Sequence, residues 1–172
     1  MTNFYAGRDQ KNVGISAPFP VTGPNIVYSE VTLSLDTNAY TSGDVLADTQ
    51  VVTDALRFAD SCGMIQSVVL IDEDDQGIAL DLHFLSANSS LGTENGAPNI
   101  SDANARDHLG VVAIASGDYK DLGGVRVATV KGIGLPVKAA SGTKDIYVGA
   151  VTGGTPTHSA SGLKLRIGIQ QS

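Results

Sequence analysis

The sequence predicts an all-β domain, folded as an antiparallel β-sandwich of jelly-roll type, with an extended N-terminal arm and at most one short helix. Two patterns lead to this prediction. Apolar and polar residues alternate in most segments after residue 25, and glycines and other turn-forming residues separate those segments. The composition agrees, because 42% hydrophobic residues are too many for a disordered chain and 20 glycines are too many for a helical bundle.

The chain divides into an arm, residues 1–25, and one sandwich domain, residues 26–172. Its 172 residues correspond to a single domain at about 150 residues per domain. The arm holds three of the six prolines, which fix φ and donate no backbone hydrogen bond, so we predict an extended segment. A terminus without fixed contacts is the alternative. Because a purely solvated tail needs no apolar residues, we expect the arm to contact a neighbouring subunit or partner through Phe4, Tyr5, Phe19 and Val21.

The first half of the domain contains four predicted strand segments, each identified by period-two alternation or by a short apolar run. The third segment, 64–72, is the most continuously apolar and is predicted to lie in the middle of a sheet. In the segments 26–35, 44–58 and 78–85, the residues predicted to share one face are, in order, Val27, Val31, Leu33 and Leu35; Val52, Leu56 and Phe58; and Ile78, Leu80, Leu82 and Phe84.

A long connection, residues 86–109, follows these strands, and connections of this length usually carry function or contact surface. Ser101 or Asp102 is predicted to cap one short helix that ends before Gly110.

Alternation resumes after this connection and predicts further strands. Glycines at 123–124, 132, 142 and 153–154 are predicted to form the turns between them. Eight or nine half-apolar strands are buried most simply by packing two sheets together, although a closed barrel has the same alternation. The predicted faces are Val111, Ala113 and Ala115; Val125, Val127 and Thr129; Ile133, Leu135 and Val137; Ile146, Val148 and Ala150; and Leu163, Leu165, Ile167 and Ile169.

Charge and cysteine content exclude several classes of protein. The net charge is −7 and no run of Lys or Arg occurs, so direct binding to nucleic acid is not expected. Cys62 is the single cysteine, which excludes an internal disulfide and a cysteine-based zinc site, and we predict a small, partly buried apolar residue there. The sequence shows neither a membrane span nor a signal peptide, so we expect a soluble protein made in the cytoplasm.

The acidic run from Asp72 to Gly77 is the segment that most resembles a metal site. Aligned as a calcium loop, it has Asp74 at the third position and Gly77 at the sixth, but His83 occupies the twelfth position, where a bidentate Glu is required. We therefore predict an acidic turn between two strands, with a weak surface calcium site as the alternative, and no cofactor.

No catalytic residue is predicted. Asp81 and His83 lie two apart on one strand and face the same way, but no serine in a nucleophile motif accompanies them. His108 and His158 are predicted to be surface residues. The glycine-rich segment 153–162 lacks the Lys-Ser/Thr ending of a phosphate-binding loop.

Four stretches of the domain resemble small virion structural proteins of tailed bacteriophages. Together they cover most of the chain after the arm, and they contain no catalytic signature. The stretches are VTLSLDTNAYTSGDVLADTQ (31–50), QSVVLIDEDDQGIALDLHFLSANSSLGTENGAPNISD (66–102), DYKDLGGVRVATVKGIGLPVKAASG (118–142) and SGLKLRIG (161–168).

This resemblance implies a capsid decoration, or cement, protein. Such a protein would bind the major capsid protein at the outside of the virion, as a homo-oligomer and often as a trimer, without a cofactor, an enzymatic activity, nucleic acid or membrane. A tail, neck or fibre component and a glycan-binding β-sandwich are the alternatives. Glycan sites usually present aromatic platforms, and this chain has 5% aromatic residues and no Trp.

Overall fold

In a computed structural model, the structure describes residues 4–6, 11–13 and 25–172. These residues form eleven strands and two single-turn 3-10 helices, Asn104–Asp107 and Ser116–Asp118. The strands are β1 Phe4–Ala6, β2 Lys11–Val13, β3 Asn25–Thr32, β4 Val45–Val52, β5 Cys62–Asp72, β6 Leu80–Leu85, β7 His108–Ile114, β8 Tyr119–Asp121, β9 Arg126–Lys138, β10 Ile146–Thr152 and β11 Leu163–Gln171.

The strands of the domain form two separate antiparallel sheets. The order in the five-stranded sheet is β3-β11-β5-β9-β8, and the order in the four-stranded sheet is β4-β10-β6-β7. Without the short strand β8, this is the eight-stranded jelly-roll connectivity, in which successive strands alternate between two packed sheets except for β6 and β7, which pair in the same sheet. The predicted all-β sandwich of jelly-roll type is confirmed, and the closed barrel is not formed by these strands. Within the N-terminal arm, β1 and β2 pair as a hairpin.

The core lies between the two sheets and follows the predicted alternation most closely in β11. Leu163, Leu165, Ile167 and Ile169 of this strand are all buried. Opposite sheets contribute Leu70 from β5 and Phe84 from β6, which are also fully buried. Because β5 pairs with β11 on one side and β9 on the other, the prediction of a central strand at 64–72 is confirmed.

Strand β9 differs from the prediction because a bulge reverses its alternation. Ala128 and Val130 face inward before the bulge, whereas Leu135 and Val137 do so after it. The predicted apolar face of Val125, Val127 and Thr129 is therefore not the face that packs on the core, and the predicted turn at Gly132 is part of the strand. The pairing with β5 shifts between Ile65 and Ser67, and Gly132 and Gly134 have φ values of +68° and +67°, which favour glycine.

Two other predicted faces are corrected. In β7 the residues directed to the core are Val112 and Ile114, while Val111 is 50% exposed, so the face Val111, Ala113 and Ala115 points outward. Both faces of this strand carry apolar residues, which is why alternation did not distinguish them. The segment 44–58 is a strand only as far as Val52, and Phe58 in the following turns is 59% exposed.

The long connection packs on the outer face of the four-stranded sheet. Leu91 of the connection is buried against Val45 and Leu85, which is why Leu85 is buried although it lies on the outer side of β6. A Cβ atom at Gly149 in β10 would lie 2.6 Å from Leu91 Cδ1, so the absence of a side chain there allows the connection to approach. The 3-10 helix Asn104–Asp107 occurs where a short helix is predicted, and Ser101 Oγ accepts a hydrogen bond from the Asn104 N–H at 3.2 Å.

Candidate interaction surfaces

The outer face of the five-stranded sheet carries a group of large apolar side chains in contact with solvent. Ile26, Tyr28 and Met64 are 57%, 67% and 37% exposed, and we call these three residues the apolar patch. Ile26 and Met64 both stand opposite Gln170 of β11, and Tyr28 stands opposite Gly168. The strand register therefore brings residues from β3 and β5 together into one surface.

The apolar patch borders an open sheet edge. Strand β3 is the terminal strand of the five-stranded sheet and pairs only with β11 among the described residues. The N–H and C=O groups along the other side of such a strand are available to pair with another chain. Because the N-terminal arm ends where β3 begins, the arm, the open edge and the patch residues Ile26 and Tyr28 are adjacent in the sequence.

Three of the basic residues on this sheet form ion pairs. Arg166 Nη2 lies 2.6 Å from Glu30 Oε1, Arg126 Nε donates to Asp75 Oδ1 at 2.7 Å, and Lys164 bonds Glu73. These pairs are partly exposed to solvent, so each contributes little to stability, about 0–1 kcal/mol.

The outer face of the four-stranded sheet has a different charge pattern. Its four strands contain no Lys or Arg, but they carry Asp48 and Asp81. Asp48 anchors the long connection, because its carboxylate accepts hydrogen bonds from the Leu91 N–H and from Ser90 Oγ, both at 2.8 Å. Ser90, Glu94 and neighbouring polar residues line a shallow groove above this carboxylate.

A histidine pair also lies on this face. His83 Nδ1 of β6 and His108 Nε2 of β7 are 3.1 Å apart, with the rings at 85° to each other. The pKa of His83 is lowered. Partial burial of the ring and the neighbouring His108 ring lower this pKa, and they outweigh Asp81, which raises it. Sequence analysis predicted a surface position for His108 and did not predict this contact, because it depends on the register between two strands.

The acidic run forms the turn predicted between β5 and β6, and Asp72 organises it. Asp72 is buried, and its carboxylate accepts hydrogen bonds from the Asp74 N–H at 3.1 Å and the Gly77 N–H at 2.7 Å. His158 is also buried, which corrects its predicted surface position, and its Nδ1 lies 3.3 Å from Asp74 Oδ2. Asp72, Asp74 and His158 could together approach a cation, but their hydrogen bonds to the chain already account for this arrangement.

The environment of Asp74 stabilises its ionised form. Burial alone raises the pKa of this carboxyl, but hydrogen bonds from the Ser159 N–H and hydroxyl and from His158 outweigh that effect and lower the pKa below its usual value. Asp74 Oδ2 accepts from the Ser159 N–H at 2.8 Å and from Ser159 Oγ at 3.1 Å. The carboxylate therefore holds the 153–162 loop against the acidic turn.

These contacts do not form a nucleophile-activating array. Ser159 donates to Asp74 rather than to the His158 ring, so the relay from hydroxyl to imidazole to carboxylate is not made there. His83, which lies on the same face as Asp81, contacts another imidazole. Within residues 25–172, no histidine ring is hydrogen-bonded to a Ser, Thr or Cys side chain.

The predicted partner contacts lie in the arm, and the structure covers two of them. Phe4 and Tyr5 belong to β1 of the hairpin, whereas Phe19 and Val21 lie outside the described residues. Cys62, at the start of β5, is an exposed free cysteine, which corrects the partly buried position predicted for it. In the part of the chain that the structure describes, no helix is long and apolar enough to cross a membrane.

Comparison with known proteins gives similarity only at the level of structure. No protein-family model matches the chain, and no curated protein matches it. A chain from the capsid of Ralstonia phage GP4 is similar over 90% of both chains, with 21% sequence identity and a TM-score of 0.43. A chain from the cyanophage Pam1 capsid asymmetric unit is similar over 93% of this chain and 94% of its own, with 13% identity and a TM-score of 0.35.

A plant virus structure is also similar. The Desmodium yellow mottle tymovirus chain matches 90% of this chain and 92% of its own length, with 13% identity and a TM-score of 0.31. Two of these three structures are phage capsids.

Proposed function

We propose that this chain is a structural protein of a phage virion, a capsid decoration protein that binds the major capsid protein on the outside of the head. The sequence resemblance indicates the phage virion. The observation that carries the binding role is the combination found at β3, where an open sheet edge, two exposed apolar residues and the end of the arm coincide.

The apolar patch has the properties of a docking surface. Single exposed apolar residues are common, but adjacent ones on one face beside an unpaired strand edge are typical of protein contacts. Tyr28 is well suited to such a contact, because tyrosine combines a large apolar ring with a hydrogen-bonding hydroxyl and is enriched among residues that dominate binding energy. An added strand from the partner would satisfy the free backbone groups of β3.

A protein of this kind acts through binding alone. Because it binds the assembled lattice in preference to free subunits, it shifts the equilibrium toward the assembled shell by mass action. Repetition over one particle allows each interface to be modest, since many contacts act together. We include in the proposal the homotrimer that the resemblance implies, which a sedimentation experiment would detect as three times the 17.7 kDa chain mass.

The experiment measures the occupancy of capsids that were assembled without this protein. The test protein carries the double substitution Ile26→Ser and Tyr28→Ser, and a second test protein lacks residues 1–24. Val111→Ser is the matched control, because Val111 has a comparable 50% exposure but lies on the outer face of the other sheet. Circular dichroism and thermal unfolding verify that all variants fold.

We expect full occupancy by the wild type and by the Val111 variant, and a loss of at least about tenfold in apparent affinity for the other two proteins, since hot-spot residues each contribute about 2 kcal/mol or more. Normal occupancy by the Ile26/Tyr28 variant would refute the role of the patch. Normal occupancy by the truncated protein would refute the role of the arm, and failure of the wild type to bind would refute the proposed function.

A further inference from the structure

The four-stranded sheet presents two imidazole nitrogens at a separation suited to metal binding. His83 Nδ1 and His108 Nε2 are 3.1 Å apart. Nitrogen ligands of Zn²⁺ lie at about 2.0–2.1 Å from the ion, so two of them at a tetrahedral angle stand about 3.3–3.4 Å from each other. The observed separation is therefore within a few tenths of an ångström of the distance between two zinc ligands.

A bulge between β6 and β7 creates this arrangement. The pairing runs regularly from Leu80 to Phe84 and then shifts, so that Leu85 pairs with His108 rather than with Leu109. A bulge of this kind changes the direction in which a side chain points, compared with regularly paired strands. The shift places the His108 ring beside the His83 ring, and the perpendicular arrangement of the two rings leaves both nitrogens near one point.

The electrostatic surroundings favour a cation at this point. The four strands of the sheet carry no Lys or Arg, and Asp81 lies two residues from His83 on the same face. The 3-10 helix before β7 contributes Arg106 and Asp107, and Asp107 directly precedes His108.

We propose that His83 and His108 form a surface binding site for a divalent transition-metal ion of the Zn²⁺, Ni²⁺ or Cu²⁺ class. Imidazole ligands select these ions over Mg²⁺ and Ca²⁺, which prefer oxygen ligands. Both rings are half-buried, so water fills the remaining coordination positions. On binding, the ring that donates the present hydrogen bond moves that proton to its other nitrogen, so that both facing nitrogens become ligands and no net proton is released.

The site is tested by titrating the full chain with ZnCl₂ in an isothermal calorimeter at pH 7.5, with MgCl₂ as the ion control. We compare the wild type with His83→Gln and His108→Gln, which keep a polar side chain on the sheet surface. A second cluster, Asp72, Asp74 and His158, could also approach a cation. Asp74→Asn is the matched control that removes a ligand from this second cluster. Thermal unfolding verifies that each variant is folded.

We expect one Zn²⁺ per wild-type chain, no binding of Mg²⁺, and a loss of affinity of at least about tenfold in either histidine variant, the lower end of what removal of a supporting residue costs at metal sites. Electron paramagnetic resonance of bound Cu²⁺ should show coupling to imidazole nitrogen. Absence of Zn²⁺ binding to the wild type, unchanged binding to both histidine variants, or loss of binding in Asp74→Asn alone would each overturn the proposal.

Discussion

The outer faces of the two sheets show how one jelly-roll core can support two unlike surfaces. The five-stranded sheet has an apolar patch, exposed ion pairs such as Arg166–Glu30 and a terminal strand, β3, that pairs only with β11 among the residues that the structure describes. The four-stranded sheet is partly covered by the long connection, lacks Lys and Arg in its strands and presents a histidine pair. The inner face of each strand is constrained by the core, whereas the outer face is free to differ.

Because of this difference, we expect substitutions on the two outer faces to change different properties of the protein, its stability on one face and its binding to a partner on the other. Where the connection covers the four-stranded sheet, outer residues such as Leu85 and Leu91 are buried, so substitutions there should change the free energy of unfolding. On the open face, exposed residues and screened ion pairs contribute little to folding, so substitutions there should change association instead. The following predictions test that separation, in order of decreasing effect on stability.

The largest effect is expected from Leu91→Ala on the covered face. Leu91 is 3% exposed and packs on Val45 and Leu85, and truncation of a buried leucine costs about 2–5 kcal/mol in the free energy of unfolding. Urea unfolding measures the change, with Met64→Ala on the open face as the control. A Met64 variant that loses as much stability as the Leu91 variant would contradict the assignment of the two faces.

A smaller loss is expected when Asp74 of the loop between the sheets is protonated or replaced. The pKa of Asp74 is lowered in the folded protein. Its carboxylate therefore contributes to the free energy of unfolding above the usual aspartate pKa of about 3.9, and this contribution is lost as the pH falls through the pKa of the folded state. Hydrogen bonds to charged groups contribute about 1.5–3 kcal/mol, so Asp74→Asn should destabilise the protein by that order at pH 7.

The pH dependence provides the control for this substitution. The wild type should lose stability in acid more steeply than Asp74→Asn, so that the two unfolding free energies converge as the pH falls through the lowered pKa of Asp74. Parallel curves from pH 6 to pH 2 would show that the Asp74 carboxylate does not hold the loop.

Gly149→Ala and Gly168→Ala compare close packing on the two faces. A methyl group at Gly149 would meet Leu91 Cδ1 at 2.6 Å and the Ala47 carbonyl oxygen at 3.2 Å, and overpacking of this kind costs about 1–3 kcal/mol. At Gly168 the nearest atom is Ser67 Oγ, at the end of a side chain that can rotate. Thermal unfolding should show the larger decrease for Gly149→Ala, and the reverse order would be inconsistent with a tightly covered four-stranded sheet.

The smallest effect is expected for the Arg166–Glu30 pair on the open face. Both side chains are about half-exposed or more, so a double-mutant cycle with Arg166→Ala and Glu30→Ala should give a coupling energy below about 1 kcal/mol that decreases with salt. A coupling of several kcal/mol would mean that this face stabilises the fold directly.

The inner half of the fold could be predicted from sequence because one physical rule governs it. In β11, each of Leu163, Leu165, Ile167 and Ile169 is inward, as alternation predicts. The rule fails in β9, where the bulge at Gly132 reverses the phase, and in β7, where both faces are apolar. Neither a bulge nor a covering loop leaves a clear signal in a single sequence.

The candidate sites were less predictable, because they depend on residues far apart in the chain. His83 and His108 meet only through the shifted register of β6 and β7. His158 is buried because Asp74, 84 positions earlier, accepts its hydrogen bond. The apolar patch had a weak signal, since Tyr28 directly follows Val27 and so lies on the face opposite to the one predicted for Val27 and Val31, but its neighbour Met64 comes from another strand.

A density map of the intact virion at side-chain resolution tests the proposed role most directly. We predict that the map places this chain on the outer surface of the head, with Ile26, Tyr28 and the N-terminal arm against the major capsid protein or a sister subunit. A map that placed the chain in the tail or neck, showed the apolar patch facing solvent, or lacked the chain would contradict the account.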